Sequence, residues 1–425
     1  MVVTLVISFF GLLILNFPIF LVVLISAAVG LVLFASNSPL VLILQLFDGL
    51  DNFIILAAPF FIMAGGVAAE GDIAQRLVNL MNVIFGRLSG GLAIATVMAC
   101  AFFASISGSS LATVVAIGSI MIPSLVREGY PMPFAVGVCT SAGALGVMIP
   151  PSIPMVIFCV AMGTSVGKQF LAGFLPGIMI AVCWSIYIYF YCSGKNIKCA
   201  RHIGSSELPK TLKKSIFALL FPVIVLGGIY GGIATPTEAA AVSLIYVLII
   251  EFAVYKKLKF RDLARILGDS AVISATLNII LGCAIVFSWF MTTQQVPALV
   301  ADFITGIIHA KWIFILAIVI FYVIAGCFMD LVSLTVILGP ILIPSLEKFG
   351  IDLIHFGIIA VALCELAFLT PPFGINLFVS MSITKESLGV TARGTLPFMI
   401  VLLGAILLIA YIPEISLFLP RLLYG

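Results

Sequence analysis

The chain has 425 residues, 63% of them hydrophobic and 9% charged, with a mean hydropathy of +1.34. So few charges cannot cover a water-soluble protein of this size, which excludes a soluble enzyme or binding protein. The net charge of +3 points to no nucleic-acid partner, and long apolar runs without strict alternation predict membrane-spanning helices rather than barrel strands.

The first twenty residues, MVVTLVISFFGLLILNFPIF, have no basic leading region and no small-residue cleavage site, so they read as a retained span. Apolar runs fall at 2–35, 52–69, 88–126, 132–166, 170–192, 215–233, 237–254, 271–291, 312–329, 331–346, 353–384 and 395–420. The third is too long for one crossing. Its 39 uncharged residues, Leu88 to Val126, would make a helix of roughly 58 Å, against a hydrocarbon core of about 30 Å. It must fold back on itself or cross twice, and FFASISGSS (Phe102 to Ser110) puts a polar knot at its middle. About ten to twelve crossings plus hairpins are expected in all.

Eleven of the twenty Lys and Arg residues lie between Lys195 and Arg265. The positive-inside rule places both basic groups in the cytoplasm, with an antiparallel pair of spans between them. Within that pair Glu238 follows Thr235 and Thr237 and fits a helix N-terminal capping arrangement; Glu251 reads as interfacial. TTQQVPALVADFI (Thr292 to Ile304) reads as an amphipathic segment, and Lys311-Trp312 as an interface anchor. Asp330 is the sharpest candidate for a site. It stands in an apolar run with no basic residue between Lys311 and Lys348, and ionisable groups at membrane depth default to function. Glu365, six residues before Pro371-Pro372, is a second buried acid.

The two halves repeat. IGSIMIPSL (Ile117 to Leu125) recurs as LGPILIPSL (Leu338 to Leu346) at an offset of 221 residues, and ten of 34 positions from 118 to 151 match without a gap. The offset carries Pro150-Pro151 onto Pro371-Pro372 and Ser109 onto Asp330. Duplicated apolar segments broken by Gly and Pro at matching places mark a secondary transporter. A break inside lipid persists only where its freed backbone groups line a cavity or bind something. Helix N-termini at a break attract an anion, and free carbonyls and hydroxyls attract a hard cation such as Na⁺. Nine scattered cysteines without a CxxC pair and three dispersed histidines read as packing and loop residues. GTSVGKQF (Gly163 to Phe170) is not a phosphate loop: it lacks the Walker spacing and the Ser or Thr after the lysine. No enzyme active site, organic cofactor or ATP hydrolysis is expected, and a channel is the alternative to a transporter.

The segments APFFIMAGGVAAEGDIAQRLVNLMNVIFGRLSGGLA, ISGSSLATVVAIGSIMIPSLVREGYP, IPPSIPMVIF, FLAGFLPGIMI, FPVIVLGGIYGGIATPTEAAAV, FMDLVSLTVILGPILIPSL and TPPFGINLFV occur in this order. Together they resemble the large membrane subunit of tripartite ATP-independent periplasmic (TRAP) transporters. The resemblance implies an all-α polytopic fold of about eleven transmembrane helices and two re-entrant hairpins, with inverted repeats and elevator-type movement. It implies Na⁺-driven import of an organic acid across the bacterial inner membrane, with a small four-helix membrane subunit and a periplasmic substrate-binding protein as partners.

It also divides the chain into scaffold helices (1–90), a first transport repeat (91–192), a cytoplasmic-loop junction with scaffold or arm helices (193–310), a second transport repeat (311–390) and a C-terminal helix (391–425). Many dicarboxylate members carry Asp three or four residues after the Ser-Gly-Ser, where this chain has Thr113. SGSSLATVVAIGS is similar to the sialic acid branch. The expected substrate contacts are Ser109, Thr113, Ser152 and Asp330. The expected Na⁺ ligands are Ser105, Ser107, Gly108, Pro150, Gly326, Asp330, Thr370, Pro372 and Asn376.

Overall fold

A helix interior satisfies its own backbone, so this lipid-soluble chain is helix almost throughout. The computed structural model describes residues 2–15, 17–34, 38–195, 207–326, 331–371 and 374–424; Asp330 and Pro372 lie outside them. All regular structure among the described residues is helical. The first third holds α1 (Val2–Ile14), α2 (Ile19–Phe34), α3 (Leu40–Leu50), α4 (Ala57–Glu70), α5 (Ile73–Phe85), α6 (Gly91–Ser107), the short α7 (Ser110–Thr113) and α8 (Ser119–Arg127). A π turn, Val114–Gly118, joins α7 to α8. Next come α9 (Met132–Ala144), α10 (Ile153–Met162), α11 (Val166–Gly194), α12 (Leu208–Tyr230), α13 (Pro236–Ile249), α14 (Phe260–Thr293) and α15 (Val296–Ile307). The last third holds α16 (Lys311–Gly326), α17 (Leu331–Lys348), α18 (Leu353–Ala367), α19 (Ile375–Thr384), α20 (Leu388–Tyr411) and α21 (Glu414–Tyr424).

Seven of these helical segments are long and apolar enough to cross a membrane alone, and α15 with α16 passes the same test only as a pair bent by 118°, where the chain turns into the second hairpin. This is fewer than the eleven or so expected because some crossings are assembled from two short helices. The 13 residues of α9 and the 10 of α10 are about 20 and 15 Å long, and only together do they match the bilayer core. The same holds for α18 and α19. The segment Thr292 to Ile304 forms the end of α14 and most of α15, and Thr235 with Glu238 forms the expected capping box.

The two hairpins enter from opposite ends, and α11 serves as the ruler. At its C-terminal end, Gly90 lies against Cys192, and the rings of Tyr130, Phe134 and Tyr191 stack in succession. Both ends of the α6–α8 hairpin are therefore there. At the N-terminal end of α11, Lys168 lies over the Tyr424 ring. The chain of contacts continues from α21 through Ser416 to His355, and from Tyr411 to Trp312. Lys311 bonds Gly350 and Lys348 pairs with Asp302. Both ends of the α16–α17 hairpin are therefore at this opposite face.

Packing follows residue size. Apolar side chains gain little by leaving lipid for protein, so close helix contact needs small residues. α4, with buried Ala57, Ala58 and Ala64, packs against α13, with buried Ala239, Ala240 and Ser243, while Gly65 of α4 lies against Ser107, where an added methyl would stand 2.8 Å from the Ser107 carbonyl oxygen. The α9 and α20 backbones touch at Gly137 and Gly394, where neither position leaves room for a methyl group.

Glu251, expected at the interface, is fully buried among protein groups there and fastens the end of α13 to the start of α5. Its carboxylate accepts both bonds of a bifurcated contact from the Asp72 amide at 2.9 Å and one from the Ile73 amide at 3.0 Å. It thus caps the start of α5 from another helix, where the helix dipole favours an anion. Arg76 closes the cluster, pairing with Asp72 at 2.7 Å, lying 3.7 Å over the Tyr255 ring and donating to the Lys214 carbonyl. Replacing Glu251 with Ala leaves two buried amides without an acceptor, which costs about 2–4 kcal/mol. Thermal unfolding of the detergent-purified variant should show a clearly lower midpoint, and Glu251→Gln, which keeps one acceptor oxygen, should fall between.

Candidate functional site

The first break is built by three residues. α6 ends at Ser107, and Gly108 takes the left-handed conformation (φ 58°) with its amide on the Ala104 carbonyl. Ser109 is extended and its hydroxyl accepts from the Ala112 amide, which starts α7. The second break is the same device with prolines. After Val147 the chain passes through Pro150-Pro151, and Ser152 starts α10 by accepting from the Met155 amide while donating to the Val147 carbonyl.

The two breaks meet. The Ile153 amide donates to the Gly108 carbonyl at 3.2 Å, and a methyl on Gly108 would stand 2.8 Å from the Pro151 carbonyl oxygen. Two helix N-termini, of the continuous α7–α8 segment and of α10, therefore start beside one another at membrane depth.

The hydroxyls around the first break form a triangle. Ser107 Oγ lies 3.0 Å from Thr113 Oγ1 and 3.2 Å from the Ser109 carbonyl oxygen, and Thr113 Oγ1 donates to that carbonyl at 2.8 Å. The second half reaches in through Asn376, near the start of α19. Its amide nitrogen donates to Ser110 Oγ at 2.6 Å, and Ser110 Oγ donates to Asn376 Oδ1 at 3.0 Å. Thr140 and Ser380 add a 2.6 Å contact between halves. Thr370 bonds the Leu366 carbonyl, and Gly374 folds back so closely that an added methyl would meet the Thr370 and Phe368 carbonyl oxygens at 3.0 Å.

Above the breaks lies a cavity of about 370 Å³ between α4, α14 and the break residues. Ser107 to Ser110 and Ile153 form its floor, Ile62, Gly66, Ile266 and Ser270 its walls, and Glu70 and Asp269 its acidic edge. Glu70 is held by Arg265 through both guanidinium nitrogens. Among the described lining residues no lysine or arginine occurs.

Of the residues singled out from sequence, Ser107, Gly108, Ser109, Thr113, Pro150 and Ser152 come together, with Asn376 joined to them through Ser110. Thr113 is fully buried and points into the oxygen triangle, not into the cavity. Ser105 bonds back to the Phe102 carbonyl one turn earlier on α6. Gly326 is buried as the last residue of α16. Asp330 and Pro372 lie outside the described residues. Sequence reasoning missed Glu70, Asp269 and the Ser110–Asn376 link. No local signal marks them, since each pairing joins segments about two hundred positions or more apart.

Two broken helices of the first half meeting beneath a cavity, in a helical membrane protein whose two hairpins enter from opposite ends, define the class: a polytopic membrane transporter. Residues 6–415 match the family model described as the DctM component of the tripartite ATP-independent periplasmic transporter. The chain belongs to this family. It is 40% identical over 396 residues to the C4-dicarboxylate TRAP transporter large permease protein DctM of Pseudomonas aeruginosa, covering 93% of each chain. It is 33% identical over 381 residues to the sialic acid TRAP transporter large permease protein SiaM of Vibrio cholerae, covering 90% of this chain and 89% of that one. The fold resembles the crystal structure of the Alcanivorax borkumensis YdaH transporter, with a TM-score of 0.63 at 15% identity over 92% of this chain and 96% of that one.

Gly108→Ala tests the junction of the breaks. The left-handed backbone costs an alanine about 1–2 kcal/mol, and the methyl also presses on the Pro151 carbonyl. Substrate uptake by the reconstituted variant should fall at least about tenfold while the protein still inserts and purifies as a single species.

Proposed function

We propose that this chain is the large transmembrane subunit of a Na⁺-coupled importer of an organic acid, working by an elevator movement. The observation that carries this reading is the junction of the Gly108–Ser109 and Pro151–Ser152 breaks at the floor of the cavity. Their helix N-termini offer partial positive charge to a carboxylate. The oxygen triangle of Ser107, Ser109 and Thr113 offers the hard donors that Na⁺ takes, which assigns Thr113 to the cation rather than to the substrate. Asn376 ties the Thr370–Gly374 break of the second half to the Gly108–Ser109 break through Ser110, so an ion bound at either one changes the geometry of both. The repeat offset pairs Asp330 with Ser109, and on that sequence correspondence we assign Asp330 to the same site.

The cavity edge at Glu70 and Asp269 lies on the side of the basic residues Lys256 to Arg265, the cytoplasmic side by the positive-inside rule. The described conformation is then inward-open. Movement of the α6–α11 and α16–α20 part against α4 and α12–α14 carries the floor to the other face. Import through the inner membrane calls on two further components, a small four-helix membrane subunit and a periplasmic binding protein. A C4-dicarboxylate is the first substrate to test, since the DctM relative is more similar than SiaM. Sialic acid, favoured by SGSSLATVVAIGS, is the second.

The test is uptake of labelled succinate and sialic acid into proteoliposomes holding the chain and its two partners. Replacing Na⁺ with K⁺ outside should abolish uptake, and undiminished uptake would refute Na⁺ coupling. Asp330→Ala should lower uptake by about a hundredfold or more with normal insertion, and a variant that transports normally would remove Asp330 from the site. Conductance without saturation would support the channel alternative.

A further inference from the structure

The scaffold carries two groups of lysines that neither its packing nor the proposed cycle uses. Lys210, Lys213 and Lys214 stand at the start of α12, and Lys256, Lys257 and Lys259 in the turn between α13 and α14. All six are exposed. The fold brings the two groups together. The Tyr255 hydroxyl donates to the Lys214 carbonyl at 3.4 Å across 41 positions of sequence, and Arg76 donates to the same carbonyl at 2.9 Å. The Phe217 and Tyr255 rings meet edge to face, with centroids 6.5 Å apart. At helical spacings of three, four and seven residues, Lys210, Lys213 and Lys214 share that face of α12 with Phe217, and so stand toward Lys256 and Lys257. Lys256 holds a left-handed backbone (φ 55°), a strain that a glycine there would relieve. Among the described residues no ion pair includes any of the six lysines. The nearby acids are engaged elsewhere: Glu251 caps α5, Asp262 accepts from the Lys259 amide at 2.9 Å, and Glu70 pairs with Arg265. Positions 196–206, which precede this region, contain no acid at all.

Membrane orientation needs only a number of lysines on one side, not their convergence. Converged ammonium groups without counter-ions at a membrane surface attract the phosphates of anionic lipid. We propose that these six lysines form a docking surface for anionic phospholipid of the cytoplasmic leaflet. The lipid phosphates lie among the ammonium groups, and the acyl chains run down the exposed Leu212, Ile216 and Leu220 of α12. Phe260, 82% exposed beside Lys259, adds an aromatic ring at headgroup level. The apolar strip decides between sources of phosphate: a free anion would use the lysines alone, whereas a lipid uses both. Arg76 and Tyr255 tie the lysine turn to Asp72 and the start of α5. Lipid docked here therefore holds α5, α12 and α13 at a fixed depth while the transport part moves. That consequence rests on the function proposed above, whereas the docking itself does not.

The experiment measures binding of fluorescent phosphatidylglycerol and phosphatidylcholine, equal in chain length, to the detergent-purified full chain. It needs neither substrate nor Na⁺, so a wrong substrate or coupling ion leaves it intact. The wild type should bind phosphatidylglycerol about tenfold or more tightly than phosphatidylcholine. Raising salt from about 0.1 to about 1 M should weaken that preference in the wild type itself, a result that depends on no variant folding. Lys213→Gln/Lys257→Gln should lose most of the preference, and Lys213→Arg/Lys257→Arg should keep it. Arg127→Gln/Lys385→Gln, which removes two cations from the transport part, should also keep it and so separates a located surface from net charge. Inorganic phosphate should leave the bound lipid in place. Equal affinity for the two lipids, a preference indifferent to salt, an equal loss in Arg127→Gln/Lys385→Gln, or displacement by inorganic phosphate would each overturn the proposal. Loss of the preference once the small membrane subunit is bound would overturn it too, by assigning the surface to that protein.

Discussion

A helix interrupted inside a bilayer leaves amides and carbonyls that lipid cannot satisfy, each at a cost of several kcal/mol. This constraint shapes the centre of the molecule. The Gly108 carbonyl, freed where α6 ends, receives the Ile153 amide, freed where α10 begins. The Asn376 amide of the other half closes on the Phe368 carbonyl. Serines finish the work: Ser109 and Ser152 each cap a new helix from one residue before it. The breaks are stable because they are adjacent, and their adjacency places helix N-termini and hydroxyls at one point. The same arrangement that satisfies the backbone is the one that can hold charge.

Around that point the structure divides by what joins it. Glu251, Asp72, Arg76 and Tyr255 lock α5, α12 and α13 through charged and aromatic contacts at one membrane face. The break residues meet α14 across a cavity lined largely by aliphatic side chains, while Gly65 of α4 lies directly against the Ser107 backbone. In the proposed elevator movement, a wall without hydrogen bonds is the one that would slide, and the fastening at Glu251 would hold the part it slides against.

Much of this was legible in the sequence. Composition announced the membrane, and the length of Leu88 to Val126 demanded a fold-back or a second crossing, with the serine knot at its middle. The 221-residue offset revealed the duplication and paired the two proline breaks. What escaped was tertiary. Glu251 beside Tyr255-Lys256 looks like any residue at a membrane surface, and only the fold brings the start of α5 to it. Glu70 and Asp269 sit at apolar-run ends where charges are ordinary. Thr113 is a substrate candidate by comparison with relatives, and in the fold it closes the short α7 with ordinary helical dihedrals, its hydroxyl bonding back to the Ser109 carbonyl four residues earlier, beside Ser107.

The electrostatics of the cavity then bear on why coupling would be obligatory in the proposed cycle. An organic acid entering over Glu70 and Asp269 meets no lysine or arginine among the described lining residues. Helix N-termini contribute only about half a charge each, too little to compensate a dianion in a site partly removed from water. A cation bound in the oxygen triangle one layer below supplies the missing charge at close range, where the low local dielectric makes it count. With the cation absent, the substrate faces Asp269, a Glu70 already paired with Arg265, and weak dipoles. With the substrate absent, the cation sits among neutral hydroxyls. Each makes the other's binding favourable, and because such coupling is reciprocal, a site of this composition has the means to tie the movement of one to the movement of the other.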